Sequence, residues 1–219
     1  MLLIWGKRPY GATQKVGTVS KQTIFGHLWY LPLFPMTSYF INSKDKRAFE
    51  LNRLSKRSIL YGYARVWLGV FCAANLAALA AVEDKPAAIA VAMLPAILLA
   101  SLIGLTYWVD SKQFKPQQRL LREMMGRHLG VALDPFDCLE NFSPEITSVA
   151  QRYSSTTLEE YWYKPVLRDS FASQPLRELA MLRARCDQHD KVLQQEVFMA
   201  LEKPAPHSAQ SASFNGTKA

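Results

Sequence analysis

The chain has 219 residues, 26 Lys and Arg against 18 Asp and Glu, a net charge of +8, 49% hydrophobic residues and three cysteines. Cys72, Cys138 and Cys186 are too few and too far apart for a disulfide-built scaffold or a zinc knuckle, and the length allows a membrane hairpin plus one or two small modules. Met1–Trp5 is apolar, but it lacks a basic leader and is too short for the core of a secretory signal, so none is expected.

Residues 1–57 read as a small basic β-rich module. Leu2–Trp5 is a compact apolar run closed by Gly6 and Pro9, and Gly11 and Gly17 bracket a polar stretch. Thr23–Leu31 and Met36–Asn42 are rich in aromatic and β-branched residues, which favour strands. Between them, Pro32 and Pro35 lack the amide donors a central strand needs, so Leu31–Pro35 is expected to break the pattern. The expectation is a small antiparallel sheet or partial barrel that leans on the membrane or on the rest of the chain.

Ile4-Trp5-Gly6, Phe25–Tyr30 running into Leu31-Pro32-Leu33-Phe34-Pro35, and Ser38-Tyr39-Phe40 together carry a resemblance. They look like the N-terminal module of uncharacterised small membrane proteins whose zinc-ribbon relatives place such a run between two metal-holding cysteine pairs. Here residues 1–57 contain no cysteine, and His27 is their only histidine, so a tetrahedral zinc site cannot be assembled from them. The resemblance therefore implies a metal-free module and carries no activity or cofactor with it.

Residues 58–110 hold two apolar stretches, Ile59–Val82 and Ala87–Val109, separated by Glu83-Asp84-Lys85-Pro86. Each is long enough to cross a hydrocarbon layer, for which about 20 helical residues suffice, and the short break leaves room only for a turn. A transmembrane helical hairpin is expected. Arg65 interrupts the first stretch near its end, where it can snorkel beside Tyr61, Tyr63 and Trp67; Tyr107, Trp108 and Asp110 form the matching collar of the second. Small residues recur at four-residue spacing, Gly69, Ala73 and Ala77 on one stretch and Ala92, Ala96, Ala100 and Gly104 on the other, a pattern that lets helices pack closely in lipid. Pro95 has no amide hydrogen to give the Val91 carbonyl, and antiparallel pairing brings Asn75 level with it, so Asn75 is expected to donate across the hairpin.

The charge is uneven. Residues 1–57 carry ten basic side chains against Asp45 and Glu50, which is the whole excess of the chain. Lys44, Lys46, Arg47, Arg53, Lys56 and Arg57 precede the hairpin, Lys112, Lys115, Arg119, Arg122 and Arg127 follow it, and the turn offers only Lys85. Under the positive-inside rule both termini face the cytoplasm, with a bacterial inner membrane the favoured setting. The six preceding cations are candidates for binding anionic headgroups, and that placement accounts for them without nucleic acid.

Residues 111–202 read as a helical cytoplasmic region. Ser111–Gly130 has apolar residues at helical spacing and a glycine stop, and is expected either to pack on its own domain or to lie on the lipid surface. Asp134-Pro135 and Ser143-Pro144 look like capped helix starts, and a last, longest helix is expected from Ser173-Gln174-Pro175 to about Leu201. Its seam, Leu179, Leu182, Cys186, His189, Leu193 and Ala200, suits a short helical hairpin better than a sustained coiled coil. Residues 203–219, rich in Ser, Ala and Pro, read as a disordered tail.

Catalytic signatures are wanting. Cys186 and His189 would share a helix face without a further ligand pair, Glu159-Glu160 has no visible base partner, and no phosphate loop, nucleophile elbow or H-E-x-x-H is present. The leading expectation is a non-enzymatic integral membrane adaptor or assembly factor, with a protein partner or a second copy. The alternative is a membrane-bound enzyme with its site between cytosolic modules. No metal, cofactor or catalytic residue is expected.

Overall fold

The computed structural model describes residues 5–79, 86–169 and 171–202, with side chains left out at Leu79, between positions 86 and 92, and at Glu202. The expected turn around Asp84, the Ala92 side chain and the expected tail at 203–219 lie outside the described residues.

The chain divides into two compact units. The first comprises Met1–Lys115 and the short segment Asp137–Glu140. Its sheet is antiparallel, in the order β1 (Trp5–Val16), β2 (Val19–Leu28), β3 (Leu31–Asn42) and β4 (Ala48–Glu50). Phe25 and Phe40 are fully buried at its centre, and the inward Thr23 and Ser38 hydroxyls satisfy one another at 2.8 Å. The segment after β4 is continued by chain from much later in the sequence: Leu51 bridges Cys138, Asn52 N donates to Asp137 O, and Lys21 Nζ reaches Asp137 Oδ2 at 2.5 Å.

Pro32 and Pro35 do not interrupt β3, contrary to expectation. Both pair with β2, Pro32 opposite His27 and Pro35 opposite Phe25, across two register shifts. The reason is positional. β4 pairs with Tyr39–Ile41, so among the described residues the proline-bearing half of β3 has no strand on its other side, and the missing amides leave no gap in a ladder.

Two helices follow, α1 (Lys56–Leu79) and α2 (Pro86–Gln113, with Pro95 inside it). Lys56–Ala78 and Met93–Gln113 are long and apolar enough to cross a membrane, with mean hydropathies of 1.3 and 1.6. Only 11% and 6% of these windows is buried, whereas the core helix of a soluble protein is mostly covered.

The second unit, Pro116–Phe136 and Asn141–Ala219, contains α3 (Pro116–Leu129), α4 (Ser143–Gln151), α5 (Tyr163–Arg168), α6 (Gln174–Cys186) and α7 (Lys191–Glu202). Leu121, Met125, Ile146, Tyr163, Leu179, Leu182 and Val197 form its core. The expected helix over Ser111–Gly130 begins later, at Pro116, because α2 runs on to Gln113; Gly130, at φ +78°, ends it. The expected Ser143 cap is also corrected: Ser143 lies inside α4, and Asn141 Oδ1 accepts its amide at 3.0 Å.

The single last helix is in fact two. Asp187 accepts from Arg183 at 2.9 Å and from the Tyr163 hydroxyl, and Asp190 Oδ1 caps the Leu193 amide at 3.0 Å. Gln194 Nε2 then donates to the Ala184 and Asp187 carbonyls at 2.9 and 3.0 Å, satisfying the end of α6 from within α7. A buried ion pair, Arg185 to Asp134 at 2.7 and 3.2 Å, fixes this corner between the rings of Phe136 and Phe198.

Candidate functional site: the seam between the sheet and the apolar helices

Polar chemistry in the first unit concentrates where β1 meets the opening turns of α1 and the last turns of α2. Irregularities in β1 make this possible. Gly11 and Gln14 have φ of 67° and 49°, and the register against β2 shifts on both sides of Thr13, so backbone groups of residues 10–14 turn out of the ladder. Ser58, fully buried, donates to the Gly11 carbonyl at 2.8 Å. A Cβ on Gly11 would lie 1.8 Å from the Ser58 carbonyl oxygen, so glycine is required both by its conformation and by the approach of the helix. Phe25 receives the Tyr10 and Tyr63 rings edge-on at 5.8 and 5.0 Å, and Tyr63 Oη donates to the Leu33 carbonyl at 2.7 Å. Burial raises the Tyr10 phenol pKa, and its hydroxyl is donated to the Tyr30 carbonyl at 2.7 Å.

Arg65 and the Arg57–Asp110 pair complete the seam. Arg65 Nη1 donates to the Ala12 carbonyl at 2.6 Å and Nε to Thr106 Oγ1 at 3.1 Å, while its guanidinium lies 3.8 Å from the Tyr107 ring centre and 4.8 Å from that of Tyr61. One side chain therefore joins sheet, α1 and α2. Arg57 Nε approaches Asp110 Oδ1 at 3.2 Å without an aligned hydrogen bond, and its Nη2 donates to the Asp110 carbonyl at 3.2 Å. Asp110 Oδ2 accepts the Gln14 amide at 3.1 Å.

The residues singled out from sequence separate into distinct places. Arg57 is drawn into the seam. Arg53 and Lys56 are exposed just before and at the start of α1, and Lys44, Lys46 and Arg47 are exposed in the turn beyond β3, where Arg47 pairs with Asp45 at 3.5 Å. Of the small residues, Ala96 is buried, whereas Ala73, Ala77, Ala100 and Gly104 are exposed, as is Pro95. A Cβ added at Gly69 or Gly104 would meet nothing within 4 Å, so close approach does not demand glycine at either position. The cross-helix thiol contact is Cys72 Sγ to the Ala96 carbonyl, 3.7 Å, a pair the small-residue pattern did not single out. Among the described residues, Asn75 Nδ2 donates not across the hairpin as expected but to the Phe71 carbonyl at 2.8 Å, one turn back on its own helix.

His27 is buried, stacked on Tyr30 at 5.6 Å, and no group of three or more potential metal ligands occurs among the described residues. In the second unit, Lys164, Cys186, Asp187, Gln188, His189 and Asp190 line an open cleft, and burial pushes the Cys186 thiol pKa up to about 11, opposite to the requirement of a nucleophile at neutral pH. No family model, curated protein or solved structure matches the chain.

Proposed function

We propose that the chain is a non-enzymatic integral membrane adaptor or assembly factor, built on a two-span helical hairpin that presents folded modules at the cytoplasmic surface. The carrying observation is the Arg65 knot. A guanidinium bonded to Ala12, Thr106 and two tyrosine rings fixes the sheet on the ends of the two apolar helices, so the module is held in one orientation instead of swinging on a tether. An adaptor needs this rigidity to present a surface at a set height. The charge balance of the flanking segments supports a cytoplasmic location for both ends.

Labelling of single cysteines in intact cells tests the topology, using a background in which the three native cysteines are serine. A cysteine at Asp84 reacts with an impermeant reagent from outside, and one at Lys46 reacts only after permeabilisation; equal labelling removes the hairpin reading. Purification of the full chain in detergent tests the role. A protein partner of constant stoichiometry is expected, and a tightly bound metabolite in its place would favour an enzyme.

A further inference from the structure

We propose that the end of the sheet bearing Trp5, Trp29, Tyr30, Leu33, Phe34 and Met36 is seated in the headgroup layer of the bilayer as an interfacial anchor, with the Lys44–Arg47 turn held away from the lipid. This rests on the reading of α1 and α2 as membrane spans and names the surface that meets the lipid beside them.

The six side chains are all exposed and lie in the half of the sheet toward the Trp29-Tyr30 turn, with Met36 nearest its middle. Trp5 pairs with Leu28 and Leu28 with Leu31, and the Trp5 and Phe34 rings lie 5.7 Å apart. An apolar and aromatic cluster of this kind, with so little cover from its own chain, is the signature of a surface that meets something else.

Two hydrogen bonds fix the depth of this end relative to α1. Ser55 N donates to Ser38 Oγ at 3.0 Å just before the helix, and Tyr63 Oη donates to the Leu33 carbonyl two turns into it. Over that interval α1 rises about 12 Å while β3 runs backwards through roughly 17 Å of strand. The strand therefore runs against the helix, and its Leu31 end advances in the direction in which α1 becomes apolar. The Leu33 carbonyl meets the tip of the Tyr63 side chain, on the stretch of α1 that carries Tyr61, Tyr63 and Trp67, and the turn at Trp29-Tyr30 extends further along the same direction. The patch thus lies on the side toward which the exposed apolar helices extend, where Trp and Tyr favour a bilayer interface.

The chemistry of the tip matches the headgroup layer. Arg8 holds its guanidinium 5.4 Å from the Tyr30 ring centre, and Lys7 is exposed beside it on the same end of β1, placing cations where phosphates lie. The turn itself is costly. Trp29 and Tyr30 have φ of 51° and 63°, the left-handed pair of a two-residue hairpin loop in which Asn-Gly is favoured. Two large aromatics kept in such positions, half-exposed to their own protein, fit a contact that the protein does not itself supply.

The same geometry removes the Lys44–Arg47 turn from the surface. It follows the opposite end of β3, whose run from Ser38 to Asn42 carries it about 13 Å beyond the Ser55 level and so more than one Debye length further from the headgroups at physiological salt.

The test uses the full chain, its native cysteines replaced by serine, reconstituted in phosphatidylcholine–phosphatidylglycerol bilayers. Nitroxide labels are placed singly at Leu33→Cys, Met36→Cys, Lys46→Cys and Leu98→Cys, and collision rates with oxygen and with a polar nickel chelate are compared. The Leu33 and Met36 labels are expected at headgroup depth, at least threefold less open to the nickel chelate than the Lys46 label, and Leu98 in the hydrocarbon. Two tip positions keep the result readable if one replacement disturbs the turn. A deep Leu98 with Leu33 and Met36 as open to the chelate as Lys46 overturns the anchor alone. A Lys46 label as protected as the tip overturns the orientation. An aqueous Leu98 overturns the spans, and the anchor with them.

Discussion

Arg65 lays its guanidinium 3.8 Å from the centre of the Tyr107 ring, and these two residues are brought together from opposite apolar helices. The contact explains how an arginine is tolerated inside an otherwise apolar run. Its charge is shared between a ring face, a hydroxyl and the Ala12 carbonyl, all at the sheet end of the helices.

Replacing Arg65 by Met keeps the stem and deletes the head. The loss of two charge-assisted hydrogen bonds and the ring contacts is expected to cost about 2–3 kcal/mol. Lys at this position, a point charge without the planar fork, is expected to restore less than half of that. Thermal unfolding of the detergent-solubilised chain measures both, and an unchanged midpoint for Arg65→Met would show that the knot does not hold the seam.

Gly11 and Gly17 make a matched pair. Both have positive φ, 67° and 56°, but a Cβ at Gly11 strikes the Ser58 carbonyl whereas one at Gly17 meets nothing within 4 Å. Gly17→Ala is expected to cost about 1–2 kcal/mol, the penalty of a left-handed alanine. Gly11→Ala should cost well above that and reduce the yield of folded protein. Equal midpoints for the two variants would mean that β1 does not pack on α1 as described.

Acid stability reads out the second unit. Burial alone would raise the Glu178 pKa, but hydrogen bonds from His128, Arg127 and Gln174 outweigh it and hold the carboxyl below its ordinary 4.5. A depressed carboxylate pKa contributes stability that is present above 4.5 and is lost as the pH falls through the folded-state value. The wild type should therefore lose stability below about pH 4.5 more steeply than Glu178→Gln. Parallel pH profiles for the two proteins would place no linkage on this cluster.

Much of the architecture was legible in the sequence because it rests on composition. Two long apolar runs are apparent by themselves, and aromatic and β-branched residues mark the strands before them. Pro32 and Pro35 misled because their tolerance depends on where β4 ends, which no local pattern records. The α6–α7 break had a local signal, Asp190 three residues before Leu193, which the apolar seam overrode. For the seam, Arg65 was conspicuous, yet its partner at Ala12 is a carbonyl, and backbone acceptors leave no side-chain trace. Asn75 was assigned a distant acceptor when one lay a single turn away.

The bridge between Leu51 and Cys138 has a consequence in time. A ribosome makes the four strands first, then both apolar helices, and only afterwards the residues that finish the sheet beyond β4. Until Asp137 emerges, its carboxylate is missing from Lys21 and its carbonyl from the Asn52 amide. The nascent module must therefore wait, with that margin unfinished, while the machinery handling the apolar helices does its work.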